Sequence, residues 1–112
     1  MIYGGGGAIG GAVARAFARE GATVFLAGRT LAKLDEVAAD IAATGGTAET
    51  AEVDALDERA VNDHADRIAA RTCPFDVALN AVRIAHNQGT PFPELSLEDY
   101  AHSITAYTRT NF

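Results

Sequence analysis

The absences in this chain narrow its possible functions before any motif is read. It has one cysteine, Cys73, and no tryptophan. A single thiol makes no internal disulfide, and there is no Cys-x-x-Cys spacing for zinc or for dithiol chemistry. Cys73 is read as a small residue near the end of a helix rather than as a reactive thiol. The three histidines, His64, His86 and His102, are 22 and 16 residues apart. That is no local metal-ligand spacing; all three are expected at the surface or partly buried, and no metal is expected. Lysines and arginines form no cluster, so neither a nucleic-acid groove nor an anionic membrane surface is the expected partner. No apolar run approaches a membrane span, and no basic stretch precedes an apolar one as in a secretory signal. A reducing, cytoplasmic setting follows as the expectation.

The content itself is that of a soluble globular chain. The 112 residues suffice for one domain, and 48% of them are hydrophobic, enough to bury a core. The formal charge is −6, from 15 acidic and 9 basic residues. Alanine supplies much of the apolar content, which suits closely packed helices.

Apolar periodicity divides the chain into alternating elements. Ile9, Ala12, Val13, Ala16 and Phe17 recur at helical spacing and predict one inward face, with Gly21 as the stop. Residues 22–27 form a short apolar run rich in strand formers, ended by Gly28, and read as a buried parallel strand. Thr30 is placed to cap a second helix carrying Leu31, Leu34, Val37, Ala38 and Ile41, broken at Gly45-Gly46. Residues 47–53 predict a less apolar strand, nearer an edge. Asp57 is placed to cap a third helix through about Arg71, with Val61, Ala65 and Ile68 facing in. Pro74 separates it from a fourth strand over 75–79. Residues 81–95, with Gly89, Pro91 and Pro93, read as a loop. Ser96-Leu-Glu-Asp99 has capping-box form and opens a fourth helix, with Leu97, Tyr100, Ala101, Ile104 and Thr108 on its inner face. Strands alternating with helices predict an α/β fold, a doubly wound parallel sheet with helices on both faces.

In such a sheet the first strand-to-helix turn is the usual phosphate site. Here the chain opens MIYGGGGAIGG. A glycine run is either a slack linker or a backbone shaped to let a phosphate approach, with the helix N-terminus supplying N–H groups and a positive dipole end. The amphipathic helix that follows at once is the context the second reading requires. Gly28-Arg29 ends the second strand, where a dinucleotide places its adenosine ribose. An arginine without a carboxylate there favours a 2′-phosphate, hence NADP over NAD; a solvated arginine opening a helix is the alternative. Asp54, after the third strand, is either an acceptor for an adenine amino group or a helix cap. Asn80-Ala81, after the fourth, either borders the nicotinamide-side ribose or forms a turn.

Taken in order, these landmarks resemble the short-chain dehydrogenase/reductase family. Tyr3-Gly4-Gly5-Gly6-Gly7-Ala8-Ile9-Gly10 is similar to the family's T-G-x-x-x-[AG]-x-G turn, with Tyr3 in place of threonine. Arg29 matches the basic residue of NADP-preferring members, and Val53-Asp54 the adenine-contacting pair. Residues 75–83 resemble the D-V-L-V-N-N-A-G stretch, with Arg83 at the glycine position. The resemblance implies the cofactor-binding half of a Rossmann-like domain over residues 1–112. It also implies a dinucleotide, NADP rather than NAD, held by Gly4, Gly6, Gly7, Ala8, Ile9, Gly10, Arg29, Asp54, Asn80 and Ala81. The parent reaction it implies is hydride transfer between nicotinamide and a carbonyl or alcohol carbon.

The family's catalytic serine and Y-x-x-x-K pair lie beyond its fourth helix. Tyr3, Tyr100 and Tyr107 are the tyrosines here, and none has lysine four residues later. Tyr107 stands at the family's tetrad asparagine, and Asn111 one turn further on. No catalytic residue is therefore assigned, and a small-molecule substrate is expected for a full-length parent alone. The chain reads as cut at both ends or begun at an internal start, with a shortened first strand and association through its fourth helix. The alternatives are a non-catalytic nucleotide-binding module and an inert fragment.

Overall fold

The computed structural model describes residues 1–72 and 75–112. Cys73 and Pro74, and with them the helix-end thiol and the proline break, lie outside the described residues. The chain divides into two units, Met1–Val82 and Arg83–Phe112.

In the first unit the elements run β1 (Ile2–Tyr3), α1 (Ala8–Arg19), β2 (Thr23–Gly28), α2 (Leu31–Ala43), β3 (Thr47–Glu52), α3 (Glu58–Ala69) and β4 (Leu79–Asn80). The strands are parallel, in the order β3-β2-β1-β4. The less apolar β3 is at the edge, as its composition predicts. The order reverses between β1 and β4, which makes that junction the switch point of the sheet.

Period-two alternation assigns the two faces of the sheet. Ile2, Val24 and Leu26 pack with Ala14 and Ala18 of α1 and Leu34, Val37 and Ile41 of α2 in one buried cluster. Tyr3 points the other way and meets His64 of α3. Burying each large aliphatic side chain contributes about 1.5–3 kcal/mol, so Leu26, Leu34 and Ile41, all fully enclosed, anchor the first layer. Helix α1 ends where Gly21 adopts φ 87°. Gly21 N–H then bonds the Ala18 carbonyl and Ala22 N–H the Phe17 carbonyl, a Schellman closure that only glycine enters without strain.

Several expectations are corrected. The buried face of α1 is Gly10, Gly11, Ala14 and Ala18, not the face of Ile9, Ala12, Val13, Ala16 and Phe17. Val13 is partly buried, while Ile9 is 74% exposed and Phe17 42%. Close approach of the helix to the glycine turn and to Val37 of α2 selects the smallest side chains, whereas periodicity weighted by bulk selects the larger ones. Strand β4 covers Leu79–Asn80 rather than 75–79, because it pairs with β1 alone and β1 offers two residues. Thr30 occupies the N-cap of α2, but its side chain makes no capping hydrogen bond. Leu31 is exposed. Asp57 does cap α3, accepting from Ala60 N–H at 3.1 Å. His64, expected at the surface or partly buried, is buried, 5% exposed.

The second unit holds a 3-10 turn (Phe92–Glu94) and α4 (Leu97–Asn111). Ser96 caps α4: Asp99 N–H donates to Ser96 Oγ at 3.0 Å, and Ser96 Oγ–H donates to the Asp99 carboxylate at 2.7 Å, a side-chain pair in place of the bond to the Ser96 backbone N–H that a capping box would make. Phe92 and Tyr100 meet edge to face, 6.3 Å between centroids. The predicted inner face of α4 is largely open, since Leu97, Tyr100 and Ile104 are exposed and Ala106 is its buried residue.

Candidate functional site

The parallel register sets the carboxyl ends of all four strands along one rim. Tyr3 pairs with Ala27 on one side and Asn80 on the other, and Gly28 pairs with Glu52. Gly4, Arg29, Val53 and Ala81 are each the next residue beyond a strand or one step from it. The sheet thus brings Gly4, Arg29, Val53, Asn80 and Ala81 to one rim.

Gly4 turns the chain out of β1 with φ 77°. Its amide and that of Gly5 both donate to the Ala27 carbonyl, at 2.8 and 3.1 Å. A Cβ on Gly4 would overlap the backbone of Ala81, 2.6 Å from its carbonyl carbon, so the turn packs directly on the segment leaving β4. Gly7 N–H closes the turn on the Gly4 carbonyl at 3.0 Å, and Gly11 N–H begins the helical ladder on Gly7 at 2.8 Å. Gly7 is the N-cap of α1; no side chain caps it, and the first turn holds no acidic residue. The amides of Ala8, Ile9 and Gly10 belong to the orphan donors of a helix start. Gly7, Ala8 and Ile9 are exposed, Gly4 and Gly6 half-buried, and Gly10 buried. An uncapped, uncharged helix start behind a glycine turn can take an anion on backbone N–H groups.

Arg29 is exposed beyond β2 and makes no ion pair among the described residues. Lys33, one turn into α2, lies with its stem against the turn: a Cβ on Gly6 would come within 2.9 Å of Lys33 Cβ. Val53 N–H continues the sheet by donating to the Gly28 carbonyl at 3.0 Å, and Val53 is buried. Asp54 is exposed and accepts from Leu56 N–H at 2.9 Å. It therefore shapes the turn before α3, while Asp57 is the cap. Asn80 Oδ1 accepts from Val82 N–H at 3.0 Å, and Ala81 N–H donates to the Tyr3 carbonyl at 2.8 Å. The amide of Asn80 thus rigidifies the loop that abuts Gly4.

Two features escaped the sequence reading. Tyr3 and His64 meet across the sheet, 3.4 Å from hydroxyl to Nδ1; the helical spacing of Val61, His64 and Ile68 carries that signal. A cavity of about 530 Å³ opens at the opposite, amino end of the strands, lined by Val13, Phe17, Val24, Phe25, Phe75 and Val77 among others. It forms where the two-residue β1 pairs with Leu26 and Ala27 alone and leaves the amino end of β2 unpaired on that side, while β3 pairs along its other edge. It is far from the glycine turn in the register and shares none of the rim residues.

The model of the short chain dehydrogenase family matches residues 1–110. This chain belongs to that family. A probable 2,4-dienoyl-CoA reductase of Caenorhabditis elegans is 44% identical over 69 residues, 61% of this chain and 22% of that protein. Among solved structures, a metagenomic short-chain oxidoreductase in complex with NADP superposes with a TM-score of 0.79 at 29% identity, over 88% of this chain and 45% of that one. A short-chain type dehydrogenase/reductase of Mycobacterium marinum gives 0.82 at 28% identity, over 98% of this chain and 44% of that one. The chain therefore spans less than half the length of these short-chain dehydrogenases. Among the described residues no helix is long and apolar enough to cross a membrane, and no group of three metal-ligating side chains occurs.

Proposed function

We propose that residues 1–112 are the dinucleotide-binding part of an NADP-preferring short-chain dehydrogenase/reductase. The observation that carries this reading is the glycine turn itself. It joins an uncapped helix N-terminus at the switch point of the sheet, beside an arginine without an ion-pair partner among the described residues. In this reading the orphan amides of Ala8, Ile9 and Gly10 hold the pyrophosphate, with Gly4 shaping the turn and Gly6 and Gly7 keeping the approach clear of side chains. Arg29 holds the 2′-phosphate, and Lys33 adds positive charge. Asp54 accepts from the adenine amino group with the carboxylate capacity that Leu56 leaves. Asn80 and Ala81 border the nicotinamide-side ribose. When bound, NADP supplies a hydride carrier for carbonyl or alcohol chemistry; the residues here bind and orient it, and none is assigned to proton transfer. In solution, α4 offers Leu97, Tyr100 and Ile104 for self-association.

A second reading is a nucleotide-binding module without chemistry. Both readings place the nucleotide on the same rim. Amide shift mapping during NADPH addition tests that placement. The shifts expected are those of Gly4–Gly10, Arg29, Asp54 and Ala81. Shifts confined to the cavity residues Val24, Phe25 and Val77 would move the site to the other end of the sheet.

A further inference from the structure

Among the described residues His64 is the one buried polar side chain, 5% exposed. It projects from α3, whose other buried residue is Ile68. Its Nδ1 faces the Tyr3 hydroxyl at 3.4 Å, and the two rings meet edge to face at 80° with centroids 6.0 Å apart. Tyr3 is the last residue of β1 and directly precedes Gly4. A titratable imidazole is therefore one of the two side chains that seat α3.

The roles of the pair follow from their chemistry. Burial pushes the Tyr3 hydroxyl above its ordinary pKa, so it stays a donor through the neutral range. His64 Nδ1 is then the acceptor, which requires a neutral ring with its proton on Nε2. A protonated ring can still point an N–H at the tyrosine oxygen, but it then carries a buried charge. The charges acting on it are Arg67 of its own helix and the amino group of Met1, both cationic. Among the described residues no carboxylate hydrogen-bonds to it.

We propose that Tyr3 and His64 form an acid-sensitive latch, which seats α3 on the strand leading into the glycine turn while His64 is neutral and releases it when His64 takes up a proton. Desolvation, then Arg67 and the Met1 amino group, hold the His64 pKa below its ordinary value. The unfolded chain thus binds the proton more readily than the folded one. The latch contributes its full stability above about pH 6.5 and loses it as the pH falls below that, by up to about tenfold in the folding constant per pH unit until the folded pKa is reached. The inference is independent of any cofactor, and its test uses none.

The experiment is a ring-proton titration of the 112-residue protein from about pH 8 to 5, with H86Q and H102Q identifying the His64 resonance. Thermal melts of the wild type and H64Q accompany it over the same range. His64 is expected to titrate below 6.5, and the wild-type melting temperature to fall with it while that of H64Q stays level. A His64 pKa at or above 6.5, or an equal fall in H64Q, overturns the latch. Should H64Q not fold, wild-type amide exchange decides. Selective loss of protection over residues 58–69 on acidification, taken against the intrinsic exchange rate at each pH, supports the latch, and an equal loss across α2 and α3 overturns it.

Discussion

Gly10 faces the carbonyl of Gly4 with no room for a methyl group between them. A Cβ there would sit 2.9 Å from the Gly4 carbonyl carbon and 3.1 Å from Gly5 Cα. These are backbone atoms and cannot rotate away. Gly10→Ala should therefore distort the turn, costing about 1–3 kcal/mol of stability and at least tenfold in NADPH affinity. Thermal melts and calorimetric titration of the variant check both, and unchanged values would show that the turn is slack.

Leu26 is fully enclosed at the centre of the sheet, between Ile2 and the α1–α2 layer. Leu26→Ala removes buried methyl groups where the small residues Ala14 and Ala18 cannot move in to fill the space. The expected loss is on the order of 2–5 kcal/mol, a large share of a marginal domain's stability. Urea unfolding followed by circular dichroism measures it.

Arg15 of α1 reaches Asp40 of α2 through Nε at 3.0 Å and a terminal nitrogen at 2.6 Å. The side chains remain 39% and 60% exposed, so solvent screens the pair. Asp40→Ala should cost less than about 1 kcal/mol, and the difference should shrink in high salt. A larger, salt-independent loss would mean that the pair is packed rather than merely in contact.

No tyrosine in the chain is followed four residues later by lysine. The purified 112-residue protein should accordingly show no steady oxidation of NADPH with a carbonyl substrate. Absorbance of the reduced nicotinamide follows this directly, and sustained turnover would require an acid/base group elsewhere in the chain.

The alternating order, the edge position of β3 and the glycine turn were legible because each leaves a local mark. Composition separates an edge strand from a buried one, Gly21 stops a helix, and Ser96 with Asp99 announces its start. The packed face of α1 was not legible, because it depends on how close the helix must come to Gly4 and Val37, which periodicity does not encode. The shortening of β4 was equally hidden in residues 75–79: their apolar character persists, but β1 has no residues to pair with them. Within the site, Asp54 and Asn80 each carried two readings. The structure gives both side chains turn-forming bonds, to Leu56 and Val82. His64 was passed over because a lone histidine in a polar helix looks solvated until Tyr3 is seen opposite.

The most direct test of a dinucleotide on the glycine rim is calorimetric titration of NADPH and NADH into the wild-type chain and Arg29→Ala. Tighter binding of NADPH is expected in the wild type, with roughly tenfold loss for NADPH and little for NADH in the variant, as removal of a charge-assisted phosphate contact implies. Equal weakening of both cofactors would contradict the choice of NADP. Absence of binding by either would contradict the dinucleotide site itself.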